Sequence, residues 1–326
     1  MALSRRGLMA GGALLAAGAP LSRAAVAQAD WPNRPVRLVV GFTAGSATDV
    51  TARLFAQRFS ELWGQPVVVE NVPGNAGAIG FDRVAKAPPD GYTLMWAASA
   101  AVTILPSLQR LPFDPLKDFV HMGILLAMPS VILVNNDLPV RSIADLIAHA
   151  KANPGRLSYG TPGIGTPQHI AGELLCHLAG IRMEHIPYRG AALADTLSGT
   201  VPVAIQNAGA AMPLVREGRL RGIGVTALQR SPNTANIPTV AEQGFPGFEA
   251  LSWFGLMAPA GTPRAIAARV REDALRVLAE PEIRARMGSL GLDIVGGTPE
   301  EMRQTIARET ERWAKVIADS GIQLAR

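Results

Sequence analysis

Downstream of residue 30, short apolar runs alternate with longer stretches whose apolar residues recur every three or four positions. The apolar runs are VRLVVGF (36–42), PVVVENV (66–72), YTLMWAAS (92–99), SVILVNN (130–136), LSYGT (157–161), EHIPY (184–188), VPVAIQN (201–207) and GIGVTA (222–227). Most are apolar throughout, the pattern of strands in a mainly parallel sheet with helices on both faces. The stretches between them predict helices. SIADLIAHAKAN opens with Ser142 and Asp145 in capping-box spacing and stops at Pro154-Gly155. TPEEMRQTIARETERWAKVIADSG has Thr298 as cap, Pro299 at the first helical position and Glu301 three residues after the cap. This is an α/β chain without internal repeat or low-complexity tract.

Two stretches read as connections between lobes: LLAMPSVILV (125–134) and GFPGFEALSWFGLMAPAGTP (244–263), the second rich in Gly, Pro and aromatics. Crossing at both divides the chain into lobe I (30–128 and 254–326) and lobe II (129–253), with a cleft between them. Paired crossings predict a hinge.

The first residues change the picture of charge and compartment. Arg5 and Arg6 precede a small-residue apolar segment that ends in AVAQA, with Ala27 and Ala29 in A-x-A spacing before Asp30. This predicts an export signal over residues 1–29, too short and glycine-rich to span a membrane. Ser4-Arg5-Arg6, followed by Leu8 and Met9, has the form of a twin-arginine signal. Of the 31 basic residues the signal takes Arg5, Arg6 and Arg23, leaving 28 against 26 acids in a mature chain of 297 residues. That balance, without a basic run interleaved with aromatics, excludes nucleic acid as a partner. The single Cys176 permits no internal disulfide.

Two loops carry the candidate chemistry. GFTAGSATD (41–49) lies between an apolar run and an amphipathic stretch. A helix N-terminus there leaves N–H groups free and its dipole favours an anion. Gly45 allows close approach, Thr43, Ser46 and Thr48 supply hydroxyls, and Phe42 and Ala44 complete the loop. GTPGIGTPQH (160–169) repeats the design from the facing lobe, with Thr161, Gly163, Ile164, Gly165 and Thr166. The plain alternative is that each is only a tight strand-to-helix turn with a capping residue. Asp49 reads as scaffold, accepting backbone N–H bonds within the first turn. Ser99 and Asn207, at the ends of two apolar runs, and the Tyr188-Arg189 pair are further candidate contacts, the pair suited to a carboxylate.

Other chemistries fare worse. The first loop lacks the lysine of a phosphate-binding P-loop, and no G-x-G-x-x-G opens a helix, so no cofactor is expected. His169, Glu173 and His177 share one helix face, but without a known zinc motif. His169 fits better at the cleft or capping its loop, Glu173 in the scaffold and His177 on the surface, so no metal is expected. There is no G-x-S-x-G elbow, and neighbouring Cys176 and His177 diverge on a helix, which argues against an enzyme. Trp253, Phe254 and Met257 read as hinge packing.

The sequence resembles the periplasmic solute-binding proteins of tripartite tricarboxylate transporters, the Bordetella-uptake-gene type receptors. WPNRPVRLVV, QPVVVENVPGNAGAIG, VAKAPPDGYTL, LPFDPLKDF, AGELL, IPYRG, IPTVAEQGFPGFEA and SWFGLMAPAGTP carry the likeness, in that order, across nearly the whole mature chain. The resemblance implies a two-lobed periplasmic binding fold, a monomer whose cleft takes a small organic acid, and a membrane permease as partner. The family's ligands include amino acids, di- and tricarboxylates and aromatic acids. Thr43 and Ala44 stand where the family has prolines, Arg189 where lysine is common, and Gln206 where an acid often precedes Asn207. Losing that acid removes repulsion toward a second carboxylate. With few aromatic platforms beyond Trp96, Tyr188 and Trp253, the expectation is a compact mono- or dicarboxylate. A receptor serving a signalling partner would have the same sequence.

Overall fold

The computed structural model describes residues 31–188 and 190–320; the expected export signal at 1–29, Arg189 and the last six residues of lobe I lie outside the described residues. In chain order the strands are β1 (Val36–Val40), β2 (Val67–Asn71), β3 (Thr93–Ala98), β4 (Phe119–Met128), β5 (Ser130–Val134) and β6 (Ser158–Thr161). β7 (Glu184–Pro187), β8 (Val203–Asn207), β9 (Arg221–Val225), β10 (Ser252–Pro259) and β11 (Asp293–Ile294) follow. They form two sheets, ordered β11-β4-β10-β3-β1-β2 and β7-β6-β8-β5-β9. Five helices matter for the site: α1 (Ala47–Trp63), α2 (Ile143–Ala152), α3 (Pro167–Ala179), α4 (Ala208–Arg216) and α5 (Pro299–Ser320).

The sheets are more mixed than the apolar runs predict. β1 pairs in parallel with β2 and β3, and β6 with β7 and β8, but β10 runs against β3 and β4, and β5 against β8 and β9. The reason is the path of the chain. β4 leads through Pro129 directly into β5, so β5 starts at the seam between the sheets, where Ser130 faces Asn207 at the end of β8. β10 likewise starts at the seam, with Ser252 opposite Met128. A strand that enters from the seam must run against those that finish there.

β4 and β10 occupy sequence that reads as connection. Gly123 and Gly255 interrupt their side-chain pattern, and backbone presses on both: a Cβ at Gly123 would lie 2.2 Å from the Gly297 carbonyl, and one at Gly255 2.5 Å from that of Gly123. Their register shifts twice, between Phe254 and Gly255 and between Leu256 and Met257. Glycine at such a crowded, bulged position marks close backbone approach within the sheet.

The first sheet is covered by an aromatic cluster in which Phe59 stacks on Trp63 at 4.5 Å and Phe55 lies 4.7 Å from Trp96. The second packs Ile132, Tyr159, Ile170 and Leu175. Both predicted caps are made: Ser142 accepts from the Asp145 N–H, and Thr298 and Glu301 bond reciprocally. α5 serves both lobes. Its Met302 and Ile306 sit in the first lobe's core and its Trp313, Val316 and Ile317 in the second's. Burying such side chains contributes about 1.5–3 kcal/mol each.

α3 holds Gly172 against the buried Tyr159 ring, where a Cβ would lie 2.3 Å from Cε2. Tyr159 is fixed by its hydroxyl, which donates to Glu173 Oε1. Gly172→Ala gains about 1 kcal/mol of helix propensity and loses about 1–3 kcal/mol to overpacking. A lower urea midpoint is the expected result. A higher midpoint would show that the ring has room to move.

Candidate ligand-binding cleft

The first loop joins β1 to α1. Ser46 is the N-cap, accepting from the Asp49 N–H at 3.3 Å. Asp49 is buried and closes the loop in return: Oδ2 accepts from the Gly45 N–H at 2.9 Å and from Arg53 Nε at 3.0 Å. Asn71 Nδ2, at the end of β2, donates to Asp49 Oδ1 and to the Phe42 carbonyl. Burial opposes the charge on Asp49, but Arg53, the Gly45 N–H and Asn71 outweigh it and hold its pKa below the ordinary value. Asp49 is thus scaffold, as its place in the first turn predicts.

With the Gly45 and Asp49 N–H groups taken, the Ala47 and Thr48 N–H groups are left without an acceptor among the described residues. These are the first-turn donors a helix offers an anion. Thr43, Ala44 and Gly45 are exposed, and Gly45 has φ 82° with open space around the position a Cβ would take. Phe42 is half-buried, and its ring packs toward Gly77 of the neighbouring loop. Ser99 is buried at the end of β3, its Oγ accepting from the Trp253 N–H at 3.4 Å.

The second loop joins β6 to α3 and is largely closed on itself. Thr166 caps α3, accepting from the His169 N–H, and its hydroxyl donates to the Gly163 carbonyl at 2.7 Å. The Gly165 N–H donates to His169 Nδ1 at 3.3 Å, and the Gly163 N–H to Thr161 Oγ1 at 3.2 Å. Gly163 and Gly165 therefore direct their N–H groups inward, as Gly45 does in the first loop, and the Ile164 and Gln168 N–H groups are left without an acceptor among the described residues. The His169 and His185 rings stack at 3.9 Å, and His185 Nε2 pairs with Thr161 Oγ1 at 2.7 Å. Ile164 is half-buried, and Gly165 faces Leu108 of the first lobe, 3.4 Å from where its Cβ would lie.

Three features of the cleft were not singled out from sequence as contacts. The loop after β2 holds Asn75 and Ala76 at φ 48° and 46°, a conformation that non-glycine residues adopt at a cost and that recurs at functional sites. It touches the first loop through Gly77 and Gly41. Gln168, in the first turn of α3, is buried and bonds to Ser130, Asn207 and Ser252. Gln206 is also buried, its Nε2 without a partner among the described residues. The residue types gave some warning, since a buried amide is uncommon, but only the fold brings them together.

The remaining candidates separate. Tyr188 donates its hydroxyl to Asp195, and burial with that carboxylate pushes its pKa up to about 12. His169 and Glu173 are 3.9 Å apart, whereas His177 pairs with Asp319 at 3.5 Å on the surface. Cys176 is buried, and burial lifts its thiol to about 12. Trp253 is buried at the seam, its indole N–H donating to Glu309 of α5 at 3.0 Å.

Two sheets joined by adjacent crossings, with a strand-to-helix loop from each lobe at the seam, define a two-lobed solute receptor of the periplasmic binding type. The chain belongs to the tripartite tricarboxylate transporter receptor family, whose model matches residues 51–322. The Pseudomonas sp. protein from the tcbD-tcbE intergenic region is 38% identical over 292 residues, covering 89% of this chain and 87% of its own. BugT of Bordetella pertussis is 35% identical over 301 residues, covering 90% and 91%. Among solved structures, R. palustris Rpa4515 with adipate has a TM-score of 0.80 at 36% identity, covering 90% of this chain and 99% of its own. MatC of Rhodopseudomonas palustris with bound malate has 0.77 at 30%, covering 88% and 100%.

The stacked histidines make a pH prediction. Burial, and for His169 also the neighbouring His185, lowers their pKa from 6.5 to about 3 and about 4. The unfolded imidazoles take protons first, so this contribution to stability is complete above pH 6.5 and declines as pH falls toward 4. Asp49 acts only below the ordinary carboxylate value of 3.8, while Glu309, lifted by burial to about 7, acts in the same window with the opposite sign. His121, also lowered by burial, acts with the histidine pair. The measurement is therefore a difference. Between pH 6.5 and 4, wild type should lose at least about 1 kcal/mol more than His169→Gln/His185→Gln. Parallel urea-midpoint profiles would remove the pair from the acid response.

Proposed function

We propose that this receptor captures a small organic carboxylate between its lobes and delivers it to the permease of a tripartite transporter. The observation that carries the reading is the open N-terminus of α1, where the Ala47 and Thr48 N–H groups lack an acceptor beside the exposed Gly45. A carboxylate seated there meets two backbone donors and the positive end of a 17-residue helix. Relatives with adipate and malate support an acid as ligand. The lobes are taken as 30–128 with 254–326, and 129–253, the signal at 1–29 directing export before removal.

Closure works by differential affinity. In the open form the ligand meets one lobe; in the closed form it meets both, so binding shifts the balance toward closure. Thr43 and Ser46 on one side and Asn207 on the other complete the proposed contacts, with Arg189 as a cationic partner for the acid. The preferred ligand is a compact mono- or dicarboxylate.

Thermal shift of the mature protein against mono-, di- and tricarboxylates tests the class. A ligand at 100 times its Kd should stabilise by about 2.7 kcal/mol. A cationic best ligand, or none among the acids, would overturn the reading. Gly45→Val tests the loop separately. Its side chain would project into the open approach and meet a left-handed backbone that costs about 1–2 kcal/mol. Binding should be lost with the fold retained; unchanged affinity would take the loop out of the site.

A further inference from the structure

The seam between the lobes contains an amide with more acceptors than protons. Gln168 Nε2 lies 2.9 Å from Ser130 Oγ, 2.5 Å from Asn207 Oδ1 and 3.3 Å from Ser252 Oγ. An amide nitrogen has two protons, so three such acceptors cannot all be served at once. Ser130 opens β5 directly after the first crossing, and Ser252 opens β10 at the end of the second. Asn207 ends β8 at the cleft, half-buried. Gln168 itself stands in the first turn of α3, immediately after the second loop, and is 2% exposed. One side chain therefore touches both crossings and a cleft amide.

We infer that Gln168 is a positioning residue, which orients Asn207 for ligand and ties that orientation to the two crossings. Holding Asn207 by Oδ1 leaves its Nδ2 as the end without a partner among the described residues, available to an acceptor on the ligand. Ser252 Oγ also reaches Asn207 Oδ1, at 3.4 Å, so the hydroxyl competes for the amide proton while donating to the same oxygen. A small shift of β10 against β5 changes which acceptors Gln168 serves. Movement of the lobes thereby reaches the cleft through one hydrogen-bond network. Beside this network Thr226 Oγ1 accepts from the Ser130 N–H at 2.9 Å and donates to the Ala250 carbonyl at 2.7 Å, a second bridge between the crossings.

The inference rests on the carboxylate reading, and a mutant cycle separates the two. Succinate, malate, glutarate and adipate are titrated by calorimetry into wild type, Gln168→Met, Asn207→Ala and the double variant. Met keeps the length of Gln168 and removes its donors. The tightest of the four acids should bind Gln168→Met at least tenfold more weakly than wild type. The double variant should bind no more than twofold more weakly than Asn207→Ala alone, since Gln168 acts through Asn207. A purely structural role predicts independent, multiplied losses, and that result overturns the inference. So does wild-type affinity in Gln168→Met. Should Gln168→Met fail to fold, Gln168→Asn, one methylene too short to span both partners, takes its place in the same cycle with the same expectation. Absence of binding of all four acids to wild type overturns the dicarboxylate form of the reading and this inference together, whereas additive losses leave the carboxylate reading standing.

Discussion

Two chain crossings pass side by side through the interior, and their backbone polar groups must be paired without help from solvent. An unpaired buried group costs about 1–3 kcal/mol, so the seam cannot be a simple apolar joint. The pairing is made by small hydroxyl residues. Thr226 exchanges backbone bonds with Ser130 and Ala250, and its hydroxyl bridges the same two neighbours. The Pro129 carbonyl, which no ladder partner reaches, accepts from the Ala208 N–H at the start of α4. Two helices at the cleft of the second lobe are tied to this seam, α3 through Gln168 and α4 through Ala208.

The two cleft loops meet the same demand differently. Both cap a helix with a hydroxyl, but the first uses a carboxylate, Asp49, to hold itself from behind. The second closes on an imidazole, His169, which accepts from Gly165 because burial keeps it neutral. A charged histidine would have no lone pair for that bond. The two loops are therefore held by different chemistry, a carboxylate in one and an imidazole in the other.

Much of this was legible in the sequence, because the local signals act over a few residues. The strand runs, the caps at Ser142 and Thr298, and the bonds of Asp49 to Gly45 and Arg53 all depend on neighbours within four positions. What escaped depends on distance along the chain. Asn71 meets Asp49 across 22 residues, and Gln168 meets Ser252 across 84. β4 and β10 escaped for another reason. Their glycines allow backbone contact inside the sheet, yet in sequence glycine beside proline and aromatics has the appearance of a loop. The mixed pairing follows from the same omission, since β10 supplies two antiparallel pairings and β5 is antiparallel because it continues β4.

The last helix adds a constraint that neither sheet could provide alone. α5 is anchored by Met302 and Ile306 in one lobe and by Trp313, Val316 and Ile317 in the other, so relative motion of the lobes must bend, slide or tilt it. Glu309 lies between these anchors, accepting from the Trp253 indole on β10. Burial disfavours its ionised form and lifts its pKa to about 7, with Glu249 adding to the rise and Arg308 opposing it. An apolar residue there would leave the Trp253 N–H unpaired at the seam, and a neutral amide would pair it without charge. A carboxyl instead gives the strap a group whose bond to Trp253 strengthens on ionisation, while burial opposes that ionisation. The strap is thus anchored by apolar side chains on both sides of a buried carboxyl that ties it to β10.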